Sequence, residues 1–298
     1  MRRAFIVINP VSGIGDIHIF RNKLEQHFDR AGWEFTIYQT TGEEVLKDIV
    51  SDCKDQAYDM VVACGGDGTI SQVASGLVGS SIPLGAIPLG TWNALARNLG
   101  IPIYTEEALH LLTEAHAVRE IDGLEVKGNI YLISVSTGFS SSMIHSTKRA
   151  AKRRFGFLAY IWNLILQLFG LRRIGFHLVI DQKHRKVRAA EVMVVNSGLI
   201  GLGELPTRLN IHPDDGKMEV CIIKPRTIFG LVTVAWNILI GGKNRNPEFR
   251  YYPSEASISI KTKKPRIVQG DGEEIGKTPV EIRVIPHAIK LIVPLSTY

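Results

Sequence analysis

Cysteine is scarce and unpatterned in this chain. The three present, Cys53, Cys64 and Cys221, lie far apart and form neither a CxxC pair nor a Cys/His metal spacing, so the sequence offers no disulfide framework and no structural zinc site. A reducing cytoplasm is the expected setting. Long hydrophobic runs are equally few. Ala4 to Ile8 is apolar but stops at Asn9-Pro10, too short for the core of a secretory leader, and reads as a first strand. Phe155 to Leu171 has about 17 residues, the short limit for crossing a bilayer core. It also places Tyr160, Asn163 and Gln167 on one helical face, so a spanning helix is not expected. Internal repeats and low-complexity linkers are absent. With no recognition helix or aromatic RNA-binding motif, the chain is not expected to bind nucleic acid.

What is present is a globular composition. A chain of 298 residues, 45% hydrophobic and 21% charged, can bury a sizeable core and fits two domains of modest size. Its formal net charge of +6 and sequence pI near 9.2 favour anionic partners such as nucleotides or acidic phospholipid surfaces. Up to about residue 120 strands alternate with helices. Strands are expected at 4–8, 35–38, 60–64 and 84–88, and helices at 17–30, 45–53, 70–77, 93–99 and 105–115, which implies an open, mostly parallel α/β sheet. From Ile121 onward short strands dominate, interrupted by apolar helical stretches at Phe155 to Leu171 and Ile228 to Ile240.

Gly65-Gly66-Asp67-Gly68-Thr69 follows a buried strand and opens a helix, the place where backbone N–H groups and the helix dipole receive phosphate. Asp67 would stand beside that polyphosphate, where a carboxylate needs Mg²⁺ or a charged partner to offset it. A plain glycine-rich turn with Asp67 as helix cap has the same local sequence. Asn9-Pro10-Val11-Ser12-Gly13 occupies the loop after the first strand. Pro88 to Arg97 supplies a third loop, with Gly90 for the turn, Thr91 as a hydroxyl ligand and Asn93 as a helix cap. Loops at the carboxyl ends of parallel strands line one crevice, so the three together point to a phosphate-binding site.

With Asp214-Asp215-Gly216-Lys217-Met218-Glu219 and Gln269-Gly270-Asp271-Gly272-Glu273 following in order, the sequence resembles the lipid kinase catalytic-domain family. That family includes bacterial diacylglycerol kinases and, more distantly, sphingosine and ceramide kinases; the resemblance covers nearly the whole chain. It implies an α/β domain of the NAD kinase and phosphofructokinase type, residues 1–122 with 285–298 returning to it, joined to a lipid-binding β-sandwich of residues 123–284. It further implies Mg-ATP as phosphate donor and a lipid hydroxyl, of diacylglycerol or a related lipid, as acceptor. ATP would be contacted by Asn9, Pro10, Val11, Ser12 and Gly13, by Thr40 or Thr41, by Gly65, Gly66, Asp67, Gly68, Thr69, Ile70 and Ser71, and by Thr91 with Asn93. Asp215, with the carbonyl oxygens of His212 and Lys217, would hold Mg²⁺; on local sequence alone this segment is a turn.

Phosphoryl transfer also needs an acceptor for the hydroxyl proton, and Glu273 is the expected base. Asp271 would lie on the same side if the backbone were extended, there to hold Mg²⁺ or to raise the basicity of Glu273. A bare Asp-Gly hairpin turn is the alternative. One departure stands out: Ala94 follows Asn93 where many bacterial diacylglycerol kinases carry an acid. Basic residues at Lys148, Arg149, Lys152, Arg153 and Arg154 precede the apolar run at Phe155, which resembles an interfacial anchor and implies a peripheral, cytoplasmic protein on the anionic inner membrane face. A homodimer is left open. A soluble-metabolite kinase of the NAD kinase type and a nonenzymatic lipid-binding protein are the competing readings.

Overall fold

The computed structural model describes residues 2–13, 15–139, 173–200, 203–204, 211–224 and 249–295. The basic cluster of Lys148 to Arg154, the run Phe155 to Leu171 and the expected helix Ile228 to Ile240 lie outside the described residues.

The first half alternates as its periodicity demands. β1 (Arg2–Ile8), α1 (Ile17–Arg30), β2 (Trp33–Gln39), α2 (Leu46–Ser51), β3 (Met60–Gly65), α3 (Asp67–Leu77), β4 (Leu84–Pro88), α4 (Ala94–Asn98) and α5 (Thr105–Thr113) follow one another. The strands align in the parallel order β2-β1-β3-β4. β3 and β4 are buried along their whole length, which is why they read as uninterrupted apolar runs rather than alternating ones. α1 packs Phe20, Leu24 and Phe28, one stripe at i, i+4 and i+8, into the core, and its first turn is capped by the Asp16 carboxylate on the N–H groups of His18 and Ile19.

The second half begins with β5 (Ala117–Val126), β6 (Asn129–Tyr131), β7 (Ser134–Gly138), β8 (Ile174–Ile180), β9 (Lys183–Ala189) and β10 (Glu191–Val195). A two-stranded ribbon of β11 (Leu199–Ile200) and β12 (Gly203–Glu204) follows, then β13 (Met218–Ile223), β14 (Phe249–Ser254), β15 (Ser257–Thr262), β16 (Ile267–Gly270), β17 (Glu273–Lys277) and β18 (Val280–Val293). β18, β15, β8 and β9 continue the first sheet, while β14-β13-β10-β7-β16-β17 form a second. Leu124, Phe176, Leu178, Ile258 and Ile282 from the first sheet meet Val192, Val194, Val220 and Val268 from the second in a shared apolar layer, a sandwich joined to an α/β unit.

Two strands carry the chain across this junction. β18 pairs with β15 at its start and reaches β4 at Leu291 opposite Leu84, running antiparallel to β5 on the way. The expected division at 122/123 and 284/285 therefore falls inside β5 and inside β18. Where β18 kinks, His287 takes φ of 50°. Asp122, fully buried, accepts the N–H of His287 at 2.9 Å and of Gly216 at 2.7 Å, and its own N–H donates to the Pro213 carbonyl. One carboxylate thus joins β5, the kink of β18 and the turn before β13. Removing it leaves two partly buried N–H groups without their acceptor, each bond to a charged acceptor being worth roughly 1.5–3 kcal/mol. Asp122→Ala is expected to lower the unfolding free energy by about 2–4 kcal/mol, read as a shift in urea midpoint at unchanged slope.

Candidate active site

Three loops at the carboxyl ends of β1, β3 and β4 close on one another. Asn9 donates from Nδ2 to Thr69 Oγ1 at 2.8 Å while its Oδ1 accepts the Val11 N–H, so the first loop is tied to the second. The Leu89 N–H donates to the Gly65 carbonyl at 2.8 Å. A Cβ at Gly90 would lie 2.8 Å from Gly66 Cα, and one at Gly13, whose φ is +77°, only 2.5 Å from the Leu89 carbonyl oxygen. Glycine at these positions is required by backbone meeting backbone. Asp67 aims its carboxylate at the first turn of α4, accepting the N–H groups of Ala94 at 3.1 Å and Leu95 at 3.2 Å. Burial raises its pKa against the opposing pull of those two N–H groups.

The sandwich contributes a hairpin. Asp271 and Gly272, both at positive φ, form the two-residue turn between β16 and β17, the conformation an Asp-Gly pair favours. The Asp271 carboxylate accepts N–H groups from Leu132 (2.8 Å), Ile133 (3.0 Å) and Ser134 (2.8 Å) and the hydroxyl of Ser71 on α3. Burial pushes its pKa up to about 6, with Ser71 and the three N–H groups pulling the other way. Glu273, the first residue past the turn, lies over the phosphate-type loop: a Cβ at Gly68 would meet its Oε1 at 2.5 Å. Its Oε2 accepts from Gln72 Nε2 at 3.1 Å. A cavity of about 350 Å³ opens beside this carboxylate, walled by Lys47, Ser71, Gln72, Tyr131 and Ile275. Tyr131, with its pKa raised to about 12 by burial and then by the charges of Asp271 and Glu273, packs its ring over Gly270.

Several side chains stand differently from expectation. Asn93 occupies the N-cap position of α4 but makes no cap bond; with φ of 48° its Oδ1 turns back to the Gly90 N–H at 2.8 Å, and Asp67 does the capping. Asp271 is not extended toward Glu273: the turn reverses between them, and its acceptor capacity is spent on four donors, which corrects the expectation of a metal ligand there. Ile70 is buried in the core and Ser71 is held by Asp271, so only the backbone of these two faces the loop. Thr41 gives both its N–H and its hydroxyl to Glu44, while Thr40 is buried and Thr91 is exposed. Pro10 and Ser12 are partly exposed and Val11 fully so, at the mouth of the first loop. Gln72, Ser71 as the hairpin's anchor, and Asp122 were not singled out from sequence.

The loop before β13 holds Asp214 against Arg119 at 2.6 Å and turns the Asp215 carboxylate onto the Lys217 N–H at 3.0 Å. Among the described residues no three His, Cys, Asp or Glu side chains converge as a metal set. The side-chain donors near this turn are oxygen: Asp215, and Glu219, whose Oε2 is buried without a partner among the described residues and whose pKa is raised to about 7 by burial and by the charge of Asp215. An orphaned carboxylate oxygen beside a second carboxylate fits a hard divalent cation such as Mg²⁺.

Glycine loops at the carboxyl ends of a parallel sheet, faced by a carboxylate from a second sheet, can receive a phosphate beside a proton acceptor. Residues 3–126 match the diacylglycerol kinase catalytic domain, and residues 133–293 match the YegS C-terminal NAD kinase beta sandwich-like domain. The chain belongs to this diacylglycerol kinase-like family of lipid kinases. It is 28% identical to a diacylglycerol kinase of Bacillus subtilis, over 99% of this chain and 97% of that protein. It is 26% identical to an uncharacterized protein of Synechocystis, over 98% of this chain and 70% of the other. A crystal structure of a diacylglycerol kinase from Bacillus anthracis superposes with a TM-score of 0.80 at 24% identity, covering 99% and 98% of the two chains. No helix among the described residues is long and apolar enough to cross a membrane.

The raised pKa of Asp271 has a sign that can be measured. The fold favours its neutral form, so its contribution to stability is fullest below about pH 4, the usual carboxylate range, and is lost as pH rises through about 6. The melting temperature of the wild type is expected to fall more steeply over that window than that of Asp271→Asn; parallel curves would assign the titration to another group.

Proposed function

We propose that the protein transfers the γ-phosphoryl group of Mg-ATP to the hydroxyl of diacylglycerol or a related lipid, with Glu273 as the proton acceptor. The observation that carries this reading is the seat of the Glu273 carboxylate over Gly68, in the loop that Asn9, Gly13, Gly66 and Gly90 bring together. In this reading the N–H groups of the Gly65 to Thr69 loop and the 9–13 loop grip the triphosphate, with Thr40, Thr41 and Thr91 at its periphery. Asp67 acts from behind, fixing the third loop against the second. Gln72 holds one oxygen of Glu273, which leaves the other, over Gly68, to take the acceptor's proton as the phosphoryl group transfers. Mg²⁺, held at Asp215 with the His212 and Lys217 carbonyls, would supply positive charge that stiffens the turn before β13. The family and the names of the relatives support a lipid as acceptor.

Labelled-ATP assays against diacylglycerol, monoacylglycerol, phosphatidylglycerol, sphingosine and ceramide test the reading directly. Turnover stimulated by NAD or a sugar phosphate but by no lipid would favour a soluble-metabolite kinase, and nucleotide binding without transfer to any acceptor would favour a lipid-binding protein. Glu273→Gln is expected to cut kcat by 10²-fold or more, on the order of a general base's contribution, while calorimetric ATP affinity changes little. Gln72→Leu, which frees the carboxylate without removing it, is expected to lower kcat about tenfold with KM for ATP nearly unchanged, and Gln72→Asn to restore none of it because the shorter amide falls short. Equal kcat for Gln72→Leu and wild type would remove Gln72 from the reaction.

A further inference from the structure

The positive charge of the chain is concentrated. Residues 173–190 and 255–266 hold nine lysines and arginines against two carboxylates, Asp181 and Glu255, a larger surplus than the +6 of the entire chain. The fold brings these segments together, because β9, β8 and β15 are neighbours in one sheet. Phe176, Leu178 and Ile180 on β8 and Ile258 and Ile260 on β15 enter the sandwich core, so the residues between them face outward. Register then aligns Lys186 on β9, His177 on β8 and Lys261 on β15 in one row. Arg188 lies one step along the same face, opposite Gly175, and Lys263 and Lys264 continue past the end of β15. All six are exposed, and none of their side chains is ion-paired among the described residues. The two local acids are already committed: Asp181 accepts the N–H groups of Glu255, Ala256 and Ser257, and Glu255 pairs with Lys217.

Charging an edge strand guards against unwanted pairing, which accounts for β9, the last strand of its sheet. It does not account for Lys261, since β15 is flanked by both β8 and β18. We propose that this outward face of β9-β8-β15 is a docking surface for an anionic lipid bilayer, a basic face set against an anionic one. The choice of lipid over another polyanion rests on the lipid-kinase reading; the existence of a polyanion-binding face does not.

The test uses the full chain without nucleotide, sedimented with vesicles of phosphatidylcholine alone or of phosphatidylcholine mixed with phosphatidylglycerol, at low and high salt. Binding is expected to the mixed vesicles only and to weaken as salt rises. The triple variant Lys186→Glu, Arg188→Glu, Lys261→Glu is expected to bind on the order of 100-fold more weakly, three surface cations being removed. Its fold is checked by melting temperature, and the corresponding triple Gln variant stands in if the Glu variant fails that check. Undiminished vesicle binding by a folded triple variant would overturn the proposal, as would tighter binding of the wild type to duplex DNA than to mixed vesicles. The kinase reading fails separately. A short-chain acceptor dispersed in solution is expected to be phosphorylated by the triple variant at the wild-type rate while the same acceptor in mixed vesicles is not; if the wild type phosphorylates neither, the activity is wrong and the vesicle result still decides the surface.

Discussion

The arrangement of the site depends on one buried carboxylate finding enough donors. Asp271 is withdrawn from solvent, which raises the cost of its charge, and the Ser71 hydroxyl with three successive N–H groups from Leu132 to Ser134 offsets that cost. Ser71 belongs to α3 of the α/β half and the N–H groups belong to the chain entering the sandwich. The turn bearing Asp271 is therefore held in one place relative to both. Glu273 begins the strand that leaves this turn, and its position over Gly68 follows from that anchorage. A hairpin with an exposed Asp-Gly tip would have the same local conformation and no fixed relation to α3.

The same device recurs twice. Asp67 bridges the second loop to the third through the N–H groups of α4, and Asp122 bridges β5 to the kink of β18 and the turn before β13. In each case a short acidic side chain satisfies backbone donors from a segment remote in sequence, where no ladder or helix could reach them. Between these struts the glycines remove side chains altogether, so that Gly66 and Gly90 approach backbone to backbone. The crevice is assembled from main chain pressed together by carboxylates, and main-chain N–H groups are what a triphosphate recognises.

This division explains what was legible in the sequence. Strands buried on both faces announced themselves as apolar runs, and the expected strand 84–88 agrees with the observed bounds of β4. The glycine loops were legible because a strand-loop-helix order gives them one destination. β9 was not, because Lys183 to Arg188 carries charge on both faces and its partner β8 supplies the reason for it to be a strand. The roles of Ser71 and Gln72 were equally hidden: their partners lie some 200 residues away, and nothing in a local window distinguishes a serine that anchors a hairpin from one that caps a helix. For Asp271 the extended alternative gives way to the Asp-Gly turn, and the engagement of its acid was hidden for the same reason, since such a turn reverses the chain whether or not its acid is engaged.

Position 94, which carries no acid, already meets a carboxylate in this geometry. Ala94 presents its N–H to Asp67, so the third loop already meets a carboxylate there, and a second acid at the same helix start would set like charges together. Of the acids gathered at the loops, Asp67 and Asp271 have their oxygens occupied by backbone and hydroxyl donors, and a carboxylate so engaged is a poor acceptor for a substrate proton. Glu273 differs. Its partner is the Gln72 amide, which engages one oxygen and leaves the other without a donor among the described residues. Of these three, Glu273 is the carboxylate held in place without being saturated, which is the ground for proposing it as the proton acceptor.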